Sequence, residues 1–265
     1  MTKRDEIPGK IKQKPESGLY KKGRQFVFRS NFKHKEVLLR FNAAASGYLP
    51  KAAQGHADAL SISLDIGGRP FLVDPGTTTY QSESEWMKYF KSTLSHNTIK
   101  INLKNQSEIT RPFMWFSHYE TSILDTKFDE NTIFIKAEHD GYKKIGVIHS
   151  REIKFEKKKN LIWINDTIEC LKSGYYFVEL PFHFHPETTV KQNNPINFQA
   201  SDETESELNI ITDKKFKTKL VRGQIVPQIL GWYSDSKEQK EPCSTIYCTA
   251  LIEQTITFQT IILVK

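Results

Sequence analysis

The chain predicts an all-β protein, a large antiparallel β-sandwich of two stacked multi-stranded sheets. Three observations carry that expectation. From residue 18 onward apolar and polar residues alternate with a period of two almost everywhere, β-branched and aromatic residues are abundant, and amphipathic patterns of helical length are few. Strands of this kind each have one apolar face to bury, and stacking two sheets buries those faces together.

The elements follow in order. Residues 1–17, rich in Lys, Pro and Gly, read as a tail or linker, and residues 18–265 as the sandwich domain. Strands are expected at 25–30 and 36–41. The clearest is Leu60–Ile66, which alternates without a break; Gly67-Gly68 then forms a two-residue hairpin turn, and Arg69–Asp74 is the return strand. A turn centred there pairs residues whose numbers sum to 135 and sets Asp74 opposite Ser61. Glu83–Phe90 is the exception to the β pattern, because Trp86, Tyr89 and Phe90 fall at helical spacing. Further strands are expected at 97–103, 112–119, 132–138, 146–155, 161–169, 176–185, 207–212, 217–222, 229–234, 245–251 and 255–264, with Lys157-Lys158-Lys159 as a solvated hairpin turn.

Bulk properties narrow the function. At 265 residues and 38% hydrophobic content the chain can bury a core. No apolar run approaches the roughly 18 residues of a membrane span, and Met1–Lys14 has no apolar signal-peptide core. Thirty-eight Lys and Arg against 31 Asp and Glu give a net charge of +7, which favours encounter with polyanions. The lysines are scattered, and helix-turn-helix, zinc-finger and RNP patterns are absent, so nucleic acid is a poor fit and acidic polysaccharide a better one. Cys170, Cys243 and Cys248 cannot all pair, and they read as free thiols.

Potential metal ligands cluster within 41 residues: His56 with Asp58, Asp74 before Pro75-Gly76, and His96 before Asn97-Thr98. Neutral imidazoles and a carboxylate make a reasonable zinc shell with one position left for water or substrate. His56 must fold back over the strand end to share an ion with Asp74. Asp58 competes with Asp74 as ligand, or supports a histidine from outside the shell.

Five motifs in order within 54 residues resemble the signature block of heparinase II/III-like polysaccharide lyases. They are Gly55-His56-Ala57-Asp58-Ala59-Leu60-Ser61, Val73-Asp74-Pro75-Gly76-Thr77, Trp86-x-x-Tyr89-Phe90-x-Ser92-Thr93, Ser95-His96-Asn97-Thr98 and Asn105-Gln106-Ser107-Glu108. Weaker similarity continues through Glu138–Tyr142, His149-x-Arg151 and Phe182–Pro186. The resemblance implies a C-terminal β-sandwich domain that holds a zinc-like ion through His56, Asp74 and His96. It implies cleavage of uronic-acid-containing polysaccharide by β-elimination, in which a base takes the proton next to the carboxylate and an acid protonates the departing oxygen. It also implies a periplasmic or cell-envelope setting.

The sequence departs from the family at two levels. The position before Gly55, where the family often has a proton-transferring His, is Gln54, whose amide cannot exchange a proton near neutral pH. The catalytic Tyr and its partners belong to an α/α-toroid domain that precedes the sandwich in full-length members and is not among these residues, so an upstream domain or a separate chain is the expected partner and the sandwich is expected to be inactive in isolation. Met87 and Lys91 stand where Arg is expected, and Lys cannot bind a carboxylate with two parallel hydrogen bonds. Tyr89 is a weak catalytic candidate. Trp86, Lys91, Asn97 and Arg151 are candidates for substrate contact, with packing of the helical turn (Trp86) and loop fixing by backbone hydrogen bonds (Asn97, Arg151) as the structural readings. His183 and His185 share a strand face, an arrangement that can chelate a metal, and are read instead as a strand-end pair held by backbone hydrogen bonds. His139 and His149 are read as structural support. The alternative to a lyase domain is a non-catalytic carbohydrate-binding or scaffolding sandwich.

Overall fold

The computed structural model describes residues 17–20, 25–44, 55–77, 85–111, 114–115, 119–235 and 239–265. Its largest sheet has eight antiparallel strands in the order Thr121–Phe128, Thr132–His139, Val147–Glu156, Leu161–Cys170, Ile256–Val264, Glu207–Ile211, Asn197–Ser201 and Thr189–Asn194. A five-stranded sheet runs Gly18–Tyr20, Gln25–Phe32, Lys35–Asn42, Ile62–Ile66 and Arg69–Leu72. A four-stranded sheet runs Lys217–Arg222, Ser244–Ile252, Tyr176–His183 and Lys100–Ile101. The last two meet where Leu72 bridges Phe184 and the Val73 amide donates to the His183 carbonyl at 3.0 Å.

Alternation decides which side chains enter the core. Ile133, Ile135 and Ala137, then Val147, Ile153 and Phe155, then Ile162, Ile164 and Ile168, are all buried on one face of the large sheet. Phe26, Phe28, Val37, Leu39, Phe41, Leu64 and Phe71 of the five-stranded sheet belong to the same hydrophobic cluster, as do Val178, Leu180 and Ile246 of the four-stranded one. At one end the inward face turns polar. His139 pairs across from His149, and Arg151 across from Asp166, and all four are buried.

The long strands and the helical turn agree with the sequence reading; the helix runs Glu85–Lys91 and Lys157–Lys159 forms a 3-10 turn between two strands. The Gly67-Gly68 turn pairs Ile66 with Arg69, with φ of +61° and +80° at the two glycines, the left-handed pair of a tight primed hairpin turn.

Several expectations need correction. The strand begins at Ile62 rather than Leu60, because Leu60 takes φ +60° and leaves the extended region. A bulge between Leu64 and Asp65 shifts the register, so Leu64 faces Leu72, the return strand stops there, and Asp74 does not pair with Ser61. The 97–103 strand shrinks to Lys100–Ile101 because Asn102 and Leu103 both have positive φ. Of 112–119, part lies outside the described residues. Thr121–Phe128, Thr189–Asn194 and Asn197–Ser201 are strands that the alternation missed. The first two are sheet edges with mostly exposed side chains, so no buried face imprints a pattern on them.

Core burial and surface position give opposite expectations on one strand. Ile164→Ala should cost about 2–5 kcal/mol, whereas exposed Glu169→Ala should stay within about 0.5 kcal/mol. Urea unfolding of the two variants checks this, and equal losses would contradict the assigned inward face.

Candidate metal centre

Three segments bring the donors together. His56 precedes the Ile62–Ile66 strand, Asp74 follows the Arg69–Leu72 strand, and His96 ends the 3-10 turn Thr93–Ser95. One donor atom from each lies within 4.8 Å of the others, the only such group of three among the described residues. His56 Nδ1 stands 3.1 Å from His96 Nε2, and Asp74 Oδ2 is 3.7 Å from that same nitrogen. Two nitrogens bound to one tetrahedral zinc are about 3.3 Å apart, given Zn–N bonds of about 2.05 Å. The His96 side chain is fully buried while that of Asp74 is 54% exposed, so the group opens to solvent on the carboxylate side.

The hydrogen bonds around the donors fix their chemistry. His96 Nδ1 lies 2.8 Å from the Ser92 carbonyl, which can only accept, so Nδ1 carries the proton and Nε2 presents its lone pair to His56. Burial, then the neighbouring His96, pushes the His56 pKa down and keeps that imidazole neutral, as a ligand must be. Asp74 Oδ1 accepts the Gly76 amide at 2.9 Å, which leaves Oδ2 turned to the histidines. Gly76 has φ +79°, and a Cβ there would sit 1.9 Å from the Ser234 carbonyl oxygen, so this loop excludes any side chain. The donor set therefore fits a zinc-like ion in element type, in the His96 tautomer and in the spacing of the two imidazole nitrogens.

Asp58 is committed elsewhere. Its Oδ2 accepts from Asn42 Nδ2 at 2.8 Å and its Oδ1 from the Tyr119 hydroxyl at 3.2 Å. Burial raises its pKa to about 6, with His56 opposing the shift. Of the two aspartates, Asp74 lies in the donor group and Asp58 braces the loop behind His56.

Most of the other candidates turn out to be walls of this site. Asn97, Lys91 and Arg151 were candidates for substrate contact, and all three are buried. Asn97 Nδ2 donates to the Ile62 and Val73 carbonyls at 2.8 and 3.0 Å, and its Oδ1 accepts the His183 amide at 2.7 Å. Arg151 spends its donors on Asp166, Leu60 and Asn97. Lys91 is enclosed at the end of the helix, where burial lowers its pKa, and its carbonyl accepts the Ala57 amide at 3.0 Å. Tyr89 is buried with its hydroxyl against the Trp232 amide, and burial pushes its pKa above the ordinary phenol value. Trp86 is half-buried, meets Trp232 edge-on at 5.0 Å, stacks on Phe90 and has Lys240 Nζ 5.1 Å over its ring. It pins the helix. Gln54 lies outside the described residues.

His183 is a support rather than a ligand, since its Nε2 donates to the Leu94 carbonyl at 3.0 Å and its Nδ1 accepts from Thr245. His149 links His139 at 3.1 Å to Asp166 at 2.8 Å. Sequence reasoning overlooked Asn42, Tyr119 and Asp166, and assigned no role to Gln106. Gln106 accepts the Ala59 amide at 2.8 Å and donates back to its carbonyl at 3.1 Å, standing in for a strand neighbour. Asp166 was within reach of the sequence, because a turn at Lys157–Asn160 pairs it with Arg151.

The fold and site together define a sandwich domain with a candidate metal centre at one end of the core. The family model for the heparinase II/III-like C-terminal domain matches residues 12–259, and the chain belongs to that family. Among solved structures it is similar to the heparan sulfate lyase HepC from Pedobacter heparinus, with a TM-score of 0.73 and 15% identity over 91% of this chain and 35% of that one. A heparinase III, the BT4657 gene product, matches with a TM-score of 0.71 and 16% identity over 91% of this chain and 35% of that one. A further heparinase III gives a TM-score of 0.69 at 15% identity, again over 91% and 35%. No curated protein sequence matches. The chain spans about a third of the length of these lyases, and among its described residues no helix is long and apolar enough to cross a membrane.

Buried histidines set an acid limit on stability. Burial holds His139 and His149 below the ordinary imidazole value and His183 at about 4. These groups take up protons at pH 6.5 when unfolded but only well below that when folded, so stability is full above pH 6.5 and declines toward pH 4. Asp58, raised to about 6, opposes this between pH 6 and 4, one group against four histidines, because burial lowers His56 as well. Burial alone would raise Asp166, yet Arg151 and His149 hold it at about 2, so its contribution persists to about pH 4 and is lost below. The urea midpoint of metal-free protein should fall steadily from pH 7 to 4.5, and His183→Gln should reduce that slope. A flat profile would contradict the neutral burial of these rings.

Proposed function

We propose that this chain is the metal-binding C-terminal sandwich of a polysaccharide lyase that acts by β-elimination on uronic-acid-containing acidic polysaccharide. The observation that carries the reading is the convergence of His56, Asp74 and His96, with His96 Nε2 left as a lone pair 3.1 Å from His56 Nδ1. Family membership supports the reaction class, the names of the similar lyases support a glycosaminoglycan-like substrate, and the net charge of +7 suits a polyanion.

The ion, a zinc or similar divalent cation, would supply a fixed positive charge that holds the three loops in place at the sandwich end. The chain's own residues do the rest of the positioning. Ser92 sets the His96 tautomer, Gly76 aims Asp74, Gln106 and Asp58 brace the loop behind His56, and Asn97 closes the floor. Proton transfer is a separate matter. Tyr89 is sealed in packing and Gln54 carries an amide, so the acid and base are assigned to residues outside this sandwich. That division also keeps alive a second reading, a carbohydrate-binding sandwich without turnover.

Elemental analysis of purified protein should find about one divalent ion per chain in the wild type and a clear loss in His96→Ala; stoichiometric metal retained by the variant would remove His96 from the site. Residues 1–265 alone, incubated with heparan sulfate or alginate, should release no unsaturated uronate absorbing in the near ultraviolet. Robust turnover would overturn the assignment of the acid and base to another domain. Addition of a toroid domain, as a fusion or a separate chain, should restore product for a lyase, and retained polysaccharide binding without product would select the second reading.

A further inference from the structure

Arg151 is buried on the inner face of the large sheet, yet one of its nitrogens reaches the candidate metal loops. Its Nε and Nη2 fork onto the two carboxylate oxygens of Asp166, at 2.7 and 3.0 Å. Nη1 points the other way and donates to the carbonyls of Leu60, at 2.8 Å, and Asn97, at 2.6 Å. Leu60 closes the segment that begins at His56, and Asn97 directly follows His96. One guanidinium nitrogen therefore ties the two histidine-bearing loops together through their backbone. Asn97 extends the clamp to the third donor, since its Nδ2 holds the carbonyl of Val73, the residue before Asp74.

Pairing in the sheet does not require charges here. Apart from His149 and Val147, the neighbouring inward positions of the same two strands are Ile153, Phe155, Ile162, Ile164 and Ile168, and apolar residues in place of a buried ion pair are often neutral or stabilising. The pair also holds a backbone that would otherwise relax. Leu60 sits at φ +60°, a conformation that residues with a side chain avoid, and its two backbone groups are pinned by Asn42 at the amide and Arg151 at the carbonyl. A charged fork whose remaining nitrogen fixes the donor loops is how residues beyond the ligands act on a metal site.

We propose that Arg151, oriented by Asp166, is a positioning residue that holds the His56 and His96 loops at metal-binding separation and so sets the affinity of the site. The inference rests on the metal reading above, but it also makes a prediction that needs no metal. Two variants test it. Arg151→Lys keeps a charge opposite Asp166 and loses the branch to the loops, while Arg151→Met with Asp166→Asn removes both charges and leaves an acceptor for His149. Circular dichroism should show both folded. Zinc affinity by competition titration should weaken by about 10- to 100-fold, and cobalt substitution should show an altered visible spectrum. In metal-free protein, hydrogen exchange should accelerate about tenfold or more in residues 57–61 and 96–98 while the 147–156 strand keeps its protection. Wild-type affinity and exchange in a folded variant would overturn the proposal. So would exchange raised uniformly through the core, which is the mark of a merely structural role. If the wild type binds no metal at all, the metal reading fails, and the local exchange difference still decides whether Arg151 positions these loops.

Discussion

Asn97 joins three sheets through one side chain and its backbone. Its amide donates to Ser61 Oγ, its Nδ2 to Ile62 and Val73, its Oδ1 receives His183, and its carbonyl receives Arg151. Ile62 belongs to the five-stranded sheet, His183 to the four-stranded sheet and Arg151 to the eight-stranded one. A buried amide left short of partners costs about 1–3 kcal/mol per group. Here the carboxamide spends both donors and its oxygen on backbone, so the junction is satisfied only when all three sheets are in place. The candidate metal loops inherit their geometry from that junction, because His96 is the preceding residue and Asp74 follows Val73.

The polar end of the core follows from the same constraint. Loops that leave a sheet carry unpaired backbone groups, and when they cross the end of a sandwich those groups need buried partners. Gln106 serves Ala59, Arg151 serves Leu60 and Asn97, and Thr98 Oγ1 serves Ala59 again at 2.7 Å. Each partner must itself be polar and inward-facing, so charge enters the core and has to be balanced. Asp166 balances Arg151 and accepts from His149, which in turn accepts from His139, and both rings are kept neutral by burial. The outcome is a buried polar end of the core behind the candidate metal loops, in which burial keeps the imidazoles of His139 and His149 unprotonated.

The sequence made some of this legible and concealed the rest for physical reasons. Strands with one buried face announce themselves by alternation, which is why Thr132–His139 and Leu161–Cys170 were readable and the exposed edge Thr121–Phe128 was not. The Gly67-Gly68 turn was readable because two left-handed positions all but require glycine. The bulge after it was not, since it depends on how Val73 is drawn to His183, more than a hundred residues away. His56, Asp74 and His96 were found as ligand types in a motif, but their mutual distances are products of tertiary contacts. Arg151 and Asn97 read in the sequence as loop-fixing residues with sugar contact as the alternative, and their bonds to backbone carbonyls agree with the first. Only burial, and partners 54 and 91 positions away in the chain, show them to be internal.

In the proposed reading, the geometry of the candidate metal centre and the proton chemistry are separable. Every group that fixes a donor (Ser92, Gly76, Gln106, Asn42, Asn97, Arg151) belongs to the sandwich and acts through backbone or buried side chains. None of them needs a second domain to be satisfied. A general acid or base has the opposite requirement, because it must reach the substrate and change charge there, which a sealed Tyr89 cannot do and an amide at Gln54 cannot do at all. Loss of a proton-transfer group at the cleft would leave the cradle unstrained, whereas loss of a donor-fixing residue would strand buried polar atoms in the core. On the proposed reading, the donor-fixing contacts are tied to folding, whereas a proton-transfer group would be tied only to turnover.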